Sequence, residues 1–202
     1  MYKFENITLY GAGGHCKVVL DIIRAMGLVV ENIVDDNALT PTFLGIPLTK
    51  PVGKYNRVVV TIGNCSVRKK IVSEISANEY PVVIHPSSIV SPLSSIGCGT
   101  VIMQGAIVQA CTVIGCHCII NTGATVDHDV TMADFVHCAS GSTVCGGVSI
   151  GECSWIGAGA VIIQGVKIGK NVMIGAGAVV IRDVPDGVTV VGNPARIIKQ
   201  TN

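Results

Sequence analysis

Between residues 121 and 129 the chain reads NTGATVDHD, which sets His128 between Asp127 and Asp129. An imidazole titrates near neutral pH, and an adjoining carboxylate can orient the ring and stabilise its protonated form. His128 is therefore a candidate general base, with Asp129 as its partner and Asp127 as a substitute. A solvated turn histidine is the plain alternative. A second cluster lies near the start, where GAGGHC (11–16) follows a strand-like run and opens a helix-like one. Backbone N–H groups at such a junction receive phosphate, which makes Gly13, Gly14 and His15 candidate ligand contacts. Cys16 occupies the last glycine position of the dinucleotide fingerprint, so a nicotinamide dinucleotide is not expected. Asp35 and Asp36 end a second strand-like run, and Gly63 and Asn64 end a third, all at the mouth of one crevice. Turn chemistry explains paired aspartates equally well.

The elements that must position these residues fall into two periods. In residues 1–80, ITLYG (7–11), NIVDD (32–36) and RVVVTIG (57–63) read as strands. GHCKVVLDIIRAMG (14–27) and SVRKKIVSEIS (66–76) read as helices. Strand, glycine turn, helix and strand make a βαβ unit with a small parallel sheet, a Rossmann-like domain. From Ile84 to Val180 every sixth residue is Ile or Val, except Met132 and Cys138. The position four residues after each is small or β-branched throughout, from Ser88 to Ala178. A period of six fits neither a helix nor a plain strand, but it fits short strands turning a corner every six residues. Three such sides make one coil, and stacked coils pair through their backbones about 4.8 Å apart. Glycines after the large apolar residue (Gly97, Gly115, Gly151, Gly157, Gly169, Gly175) are expected to ease the corner conformation.

Composition agrees with a strand-rich core filled by small and branched residues. The 202 residues are 49% hydrophobic but 4% aromatic, with 24 glycines. A net charge of +1 supplies no field for nucleic acid or anionic lipid, and no apolar run is long enough to span a bilayer. The opening residues lack the basic-then-apolar pattern of a signal peptide. With nine cysteines and no such signal, reduced thiols in a cytoplasmic setting are expected. CHC (116–118) with Cys111 offers metal-ligating types, but the repeat turns Cys118 inward and Cys116 outward. No metal site is expected.

Residues 18 apart stack on one edge of the prism. One edge carries Ala139-Ser140-Gly141, Gly157-Ala158-Gly159 and Gly175-Ala176-Gly177, nearly without side chains. A long, thin ligand could lie there with its amides against exposed backbone. His128 belongs to another edge, roughly five residues of about 3.3 Å each away, beyond hydrogen-bond reach. Two prisms side by side could bring such edges together. His85 and His117 are expected to be structural, and IHPSSIV (84–90) reads as the entry cap of the prism.

The stretches YGAGGHCKVVLDII, VDD, TIGNCSVRKKI, NTGATVDHD and VVGNPARII together resemble the bacterial sugar acyltransferases with a left-handed parallel β-helix. These comprise the N-acetyltransferases of nucleotide-linked 4-amino-sugars and the sialic acid O-acetyltransferase relatives. The resemblance implies a Rossmann-like nucleotide-sugar-binding domain over 1–80 and a left-handed β-helix binding acetyl-CoA over 81–202. It also implies the hand of the coil, which periodicity does not give. It implies His128 and Asp129 as the catalytic pair and a backbone N–H near Gly146 as a candidate oxyanion donor. Acetyl-CoA would contact His137, Ala158 and Ala176, and Asn121 would be either part of the site or a rung of an asparagine ladder. The acceptor, a UDP-linked 4-amino-4,6-dideoxy-sugar, would meet Gly13, Gly14, His15, Asp35, Asp36, Gly63 and Asn64. A homotrimer with sites between subunits is implied as well. Sugar O-acetylation of the sialic-acid type, and a non-catalytic sugar-binding scaffold, are the rival readings.

Overall fold

The computed structural model of the protein describes residues 7–200, so the ends of both expected domains, including the segment before Ile7, lie outside the described residues. The first half forms a six-stranded sheet of β1 (Ile7–Tyr10), β2 (Val30–Val34), β3 (Thr42–Phe43), β4 (Ile46–Thr49), β5 (Lys54–Val60) and β6 (Ser76–Glu79), in the order β3-β4-β2-β1-β5-β6. Two helices join it, α1 (Gly14–Ala25) and α2 (Cys65–Glu74). β1 pairs in parallel with both β2 and β5, which is the expected βαβ core. Three strands went unforeseen. β3 and β4 form a short antiparallel hairpin with Leu44 and Gly45 at positive φ, and β6 is an exposed edge strand of sequence SANE. None of these carries a run of apolar residues.

The second half is a β-helix. Val101 pairs with Ile119 and Ile119 with His137, a rise of one coil per 18 residues. Parallel ladders of two-residue strands make three flat sheets, one of which is closed at its end by the antiparallel strands 188–191 and 196–200. The sixfold positions are buried from Ile102 to Val180, together with the small residues four places on, as one continuous core. The glycine expectation needs correction. The left-handed conformation falls three residues after the large apolar residue, at each sixth position from Gly99 to Gly177. Gly97, Gly115, Gly151, Gly157 and Gly169 are not at positive φ. A Cβ on Gly97 would lie 2.4 Å from the carbonyl carbon of Gly115, and one on Gly157 would lie 2.6 Å from the Ala176 nitrogen. These glycines let one coil approach the next, which is a packing demand and not a torsional one.

The two halves share a core. Ile7, Leu9, Leu20, Ile23 and Val59 of the first half pack with Val83, Val101, Met103 and Ile119, the outward residues of the first β-helix sheet. The N-terminal domain is therefore seated on that sheet, and this decides the surroundings of several site residues.

Candidate active site

His128 sits on the corner of 127–129, exposed, with its Nδ1 2.8 Å from Asp129 Oδ2. A carboxylate can only accept, so Nδ1 carries the hydrogen and Nε2 presents a lone pair. Asp129 reaches the ring because its own backbone is left-handed, φ 58°, a conformation Asp tolerates. The Asp127 carboxylate accepts from the His128 backbone N–H at 2.9 Å. The Asp129 hydrogen bond, followed by the Asp127 charge, holds the imidazole above its ordinary titration range. One coil on, the ring lies over Gly146. A Cβ there would stand 2.7 Å from His128 Cε1 and 2.8 Å from Nε2. Gly146 thus makes room for the imidazole.

The sparse edge is as bare as the repeat implied. Ser140, Gly141, Ala158, Gly159, Ala176 and Gly177 are exposed, and a Cβ on any of those three glycines would meet nothing within 4 Å. His128 and this edge flank the second sheet, whose outward residues include Ile89, Ile107, Thr125, Thr143, Val161 and Val179. A shallow hollow over Ile107, Gln109, Thr125, Asp127 and Thr143 lies on that face.

His137 points outward from the prism, as the repeat requires, but the N-terminal domain covers it and leaves it 4% exposed. Its ring packs on Trp155 at a centroid distance of 4.0 Å. Nδ1 lies 3.3 Å from the Gly63 carbonyl and Nε2 lies 3.2 Å from Asn121 Nδ2. Since a carbonyl accepts, the hydrogen is on Nδ1 and Nε2 takes the amide hydrogen of Asn121. Burial, and then the Arg68 charge, lower the pKa of His137 to about 3, so it stays neutral. Asn121 Oδ1 accepts from Thr122 N at 2.8 Å and Ser140 Oγ at 3.3 Å, so it is bound into the sparse edge.

In the N-terminal domain the glycine loop meets the mouth of the sheet. Gly11 is left-handed (φ 106°), and a Cβ would collide with the Ile62 side chain at 2.5 Å. Gly13 and Gly14 are exposed with open space above them, and no side chain caps the first amides of α1. His15 follows, with its Nε2 buried and without a hydrogen-bond partner and its pKa lowered to about 4 by burial and Arg68. Asp35 ties the loop down by accepting from Ala12 N at 2.7 Å and Asn37 N at 2.8 Å. Asp36 faces out beside the Tyr10 hydroxyl at 3.4 Å. Asn64 caps α2 by accepting from Val67 N at 3.0 Å. The parallel register of Val34, Tyr10 and Val60 sets 13–15, 35–36 and 63–64 just beyond the same end of three adjacent strands, with Asp35 and Asn64 partly engaged in backbone support. Cys118 is buried inward, while Cys116 meets Cys98 at 3.0 Å between sulfurs. All nine cysteines are free.

Two residues escaped the sequence reading. Trp155 forms one wall against His137, and Arg68 lies fully buried between the domains. In the sequence Arg68 is simply the first residue of an RKK run within the helix over 66–76. The available signal was its place three residues before buried Ile71, on the apolar side of α2.

Comparison with known proteins gives a consistent answer. Residues 6–75 match the PglD N-terminal domain, and residues 147–182 match the bacterial transferase hexapeptide (six repeats). The chain is 40% identical over 101 residues to UDP-N-acetylbacillosamine N-acetyltransferase of Bacillus subtilis (strain 168). That match covers 43% of this chain and 46%, about half, of the length of that relative. PerB from Caulobacter crescentus, solved with CoA and GDP-perosamine, superposes with a TM-score of 0.90 at 37% identity, covering 98% of this chain and 99% of PerB. The acetyltransferase domain of PglB from Neisseria gonorrhoeae FA1090, solved with acetyl coenzyme A, gives 0.87 at 37% identity over 97% of this chain and 100% of that one.

Proposed function

Because the chain belongs to the left-handed β-helix family of nucleotide-amino-sugar N-acetyltransferases, we propose that it moves an acetyl group from acetyl-CoA to the 4-amino group of a nucleotide-linked 4-amino-4,6-dideoxy-sugar. The observation that carries this reading is His128, with Nδ1–H on Asp129 and Nε2 free over Gly146. The acceptor nitrogen attacks the thioester carbonyl, its proton passes to His128 Nε2, and the CoA sulfur departs as the carbonyl re-forms. No acyl-enzyme intervenes. Asp129 offsets the charge that develops on the ring. A backbone N–H near Gly146 is the oxyanion donor in this scheme.

The acceptor's diphosphate is taken by the uncapped start of α1 at Gly13, Gly14 and His15, where amides and helix dipole favour an anion. Asp36 and the rim at Gly63 and Asn64 meet the nucleoside and sugar. Acetyl-CoA lies along Ala158 and Ala176, with His137 lining the site from beneath. UDP is the favoured nucleotide because the Bacillus relative is named for a UDP-sugar, whereas PerB holds GDP-perosamine.

The two edges lie one prism side apart, about 16 Å for five residues, too far for a direct proton transfer within one chain. Each site is therefore built at a contact between copies in a homotrimer, with the β-branched second sheet turned to the neighbour. Among the described residues no helix is long and apolar enough to cross a membrane. A cytoplasmic setting suits the free thiols.

The test is incubation with acetyl-CoA and UDP-, GDP- and dTDP-linked 4-amino-sugars, with a sialic acid included, followed by mass detection of the product. A gain of one acetyl group on the amine of a nucleotide sugar is expected. Acetylation of the sialic acid hydroxyl alone, or of nothing, would overturn the reading. Native mass measurement checks the assembly, and a monomer that turns over at full rate refutes a shared site.

A further inference from the structure

The buried guanidinium of Arg68 links the two places where the substrates must meet. Its NH1 donates to the carbonyls of Ile62 at 2.7 Å and Gly63 at 2.9 Å, on the rim of the acceptor crevice. Its Nε donates to the carbonyl of His117 at 2.9 Å, and its NH2 to that of Phe135 at 2.8 Å, on the same edge of two successive coils of the β-helix. Arg68 is 1% exposed. None of these four partners is a carboxylate, and burial depresses the pKa of the group without removing its charge. A cation placed so deep is costly unless its donors are satisfied, and here four of its five N–H groups reach carbonyl dipoles. Holding two domains together does not require that arrangement, since the apolar core they share already does so.

The carbonyl of Gly63 accepts twice, from Arg68 and from His137 Nδ1. His137 then accepts from Asn121, and Asn121 accepts from Ser140 on the sparse edge. One hydrogen-bonded chain thus runs from the crevice rim, through Arg68 and His137, to the edge assigned to the thioester. We infer that Arg68 is a positioning residue, which fixes the height of the Gly63–Asn64 rim against the coils and so registers the acceptor amine with the thioester. This inference rests on the acetyltransferase reading above. Arg68 touches neither substrate and acts through Gly63 and His137.

The test pairs Arg68→Lys, which keeps the charge but not the fork of donors, with Arg68→Gln. Steady-state turnover is measured with the nucleotide sugar that the wild type acetylates. Misplacing reacting groups by about 1 Å costs on the order of 10²-fold in rate. For Arg68→Lys a kcat lower by about 10- to 100-fold is expected, with KM for both substrates within about threefold. A merely structural role would instead lower the active fraction and the melting temperature, with KM unmoved and the residual specific activity per folded molecule unchanged. Amide hydrogen exchange on the ligand-free protein supplies a second readout. Faster exchange at residues 62–66 and 135–139, with the strands of the shared core unaffected, is expected in both variants. Unchanged exchange at those segments overturns the inference whatever the activity, and so does an unchanged kcat. A wild type that acetylates no nucleotide sugar refutes the functional reading, and the exchange arm then decides this one.

Discussion

Gly146→Ala is the sharpest way to ask whether the posture of His128 matters. The backbone of Gly146 is not in the left-handed region, so alanine fits it without strain. The new methyl group would meet the imidazole, with built distances of 2.7 Å to Cε1 and 2.8 Å to Nε2. Relaxed carbon contacts begin near 3.5 Å, so the ring must retreat by about 0.8 Å. His128 is exposed and able to swing, so the retreat is cheap for folding, within about 0.5 kcal/mol. It is not cheap for chemistry. The 2.8 Å bond to Asp129 stretches beyond useful length, Nε2 leaves its position, and a rate loss on the order of 10²-fold follows, about 2.7 kcal/mol of barrier. Chromatographic or mass detection of the acetylated sugar is the suitable assay, because the nine thiols interfere with titration of released CoA. The expected result is a folded protein with unchanged melting temperature and a kcat approaching that of His128→Ala. Wild-type kcat in Gly146→Ala would refute the reasoning, as would a collapse in stability, which would mean that the backbone had moved instead of the ring.

If His128 is the base it must be neutral to accept a proton, and its pKa is held up mainly by Asp129, so activity should rise with pH through a midpoint above that of a free imidazole. Asp129→Asn should shift the acid limb of the kcat profile to lower pH as well as reducing its height; an unmoved limb would dissociate the two residues. Ala158→Leu places a side chain on the sparse edge in open solvent, so KM for acetyl-CoA should rise at least about tenfold with no change in melting temperature, and an unchanged KM would move the donor elsewhere. The pKa of buried His117 is lowered to about 4, so the unfolded chain binds its proton first, and stability falls as pH drops from about 6.5 towards 4. His117→Phe keeps a ring between Tyr80 and Phe135 and should flatten that part of the melting-temperature profile; an equal slope would assign the acid sensitivity to other groups.

The β-helix was legible because each sixth position answers to one constraint, an apolar side chain entering a narrow interior. One deletion anywhere between Ile84 and Val180 would have destroyed the pattern. The corner holding His128 followed by counting. What counting cannot reach is what covers an outward residue. His137 and Val101 are both outward by register, and both are buried because the N-terminal domain settles on them. That contact joins segments distant in sequence and leaves no period. Arg68 was missed for the same reason, since its partners are carbonyls, which no side-chain pattern records. The role of the glycines was mistaken because a short residue serves a tight torsion and a tight approach alike, and the letter G does not tell them apart.

The unbroken 18-residue coil has a consequence for how such an enzyme can change. Its crevice rests on the early coils, while the sparse edge extends over later ones. A lineage cannot lengthen the span between them by a residue or two, because an insertion that is not a multiple of six breaks the inward ladder, and one that is not a whole coil carries every later residue to another edge. Adding or losing one complete coil preserves every rung and alters that span by about 4.8 Å. Reach on this scaffold is therefore quantised, and finer adjustment to a new sugar is left to the loops of the N-terminal domain.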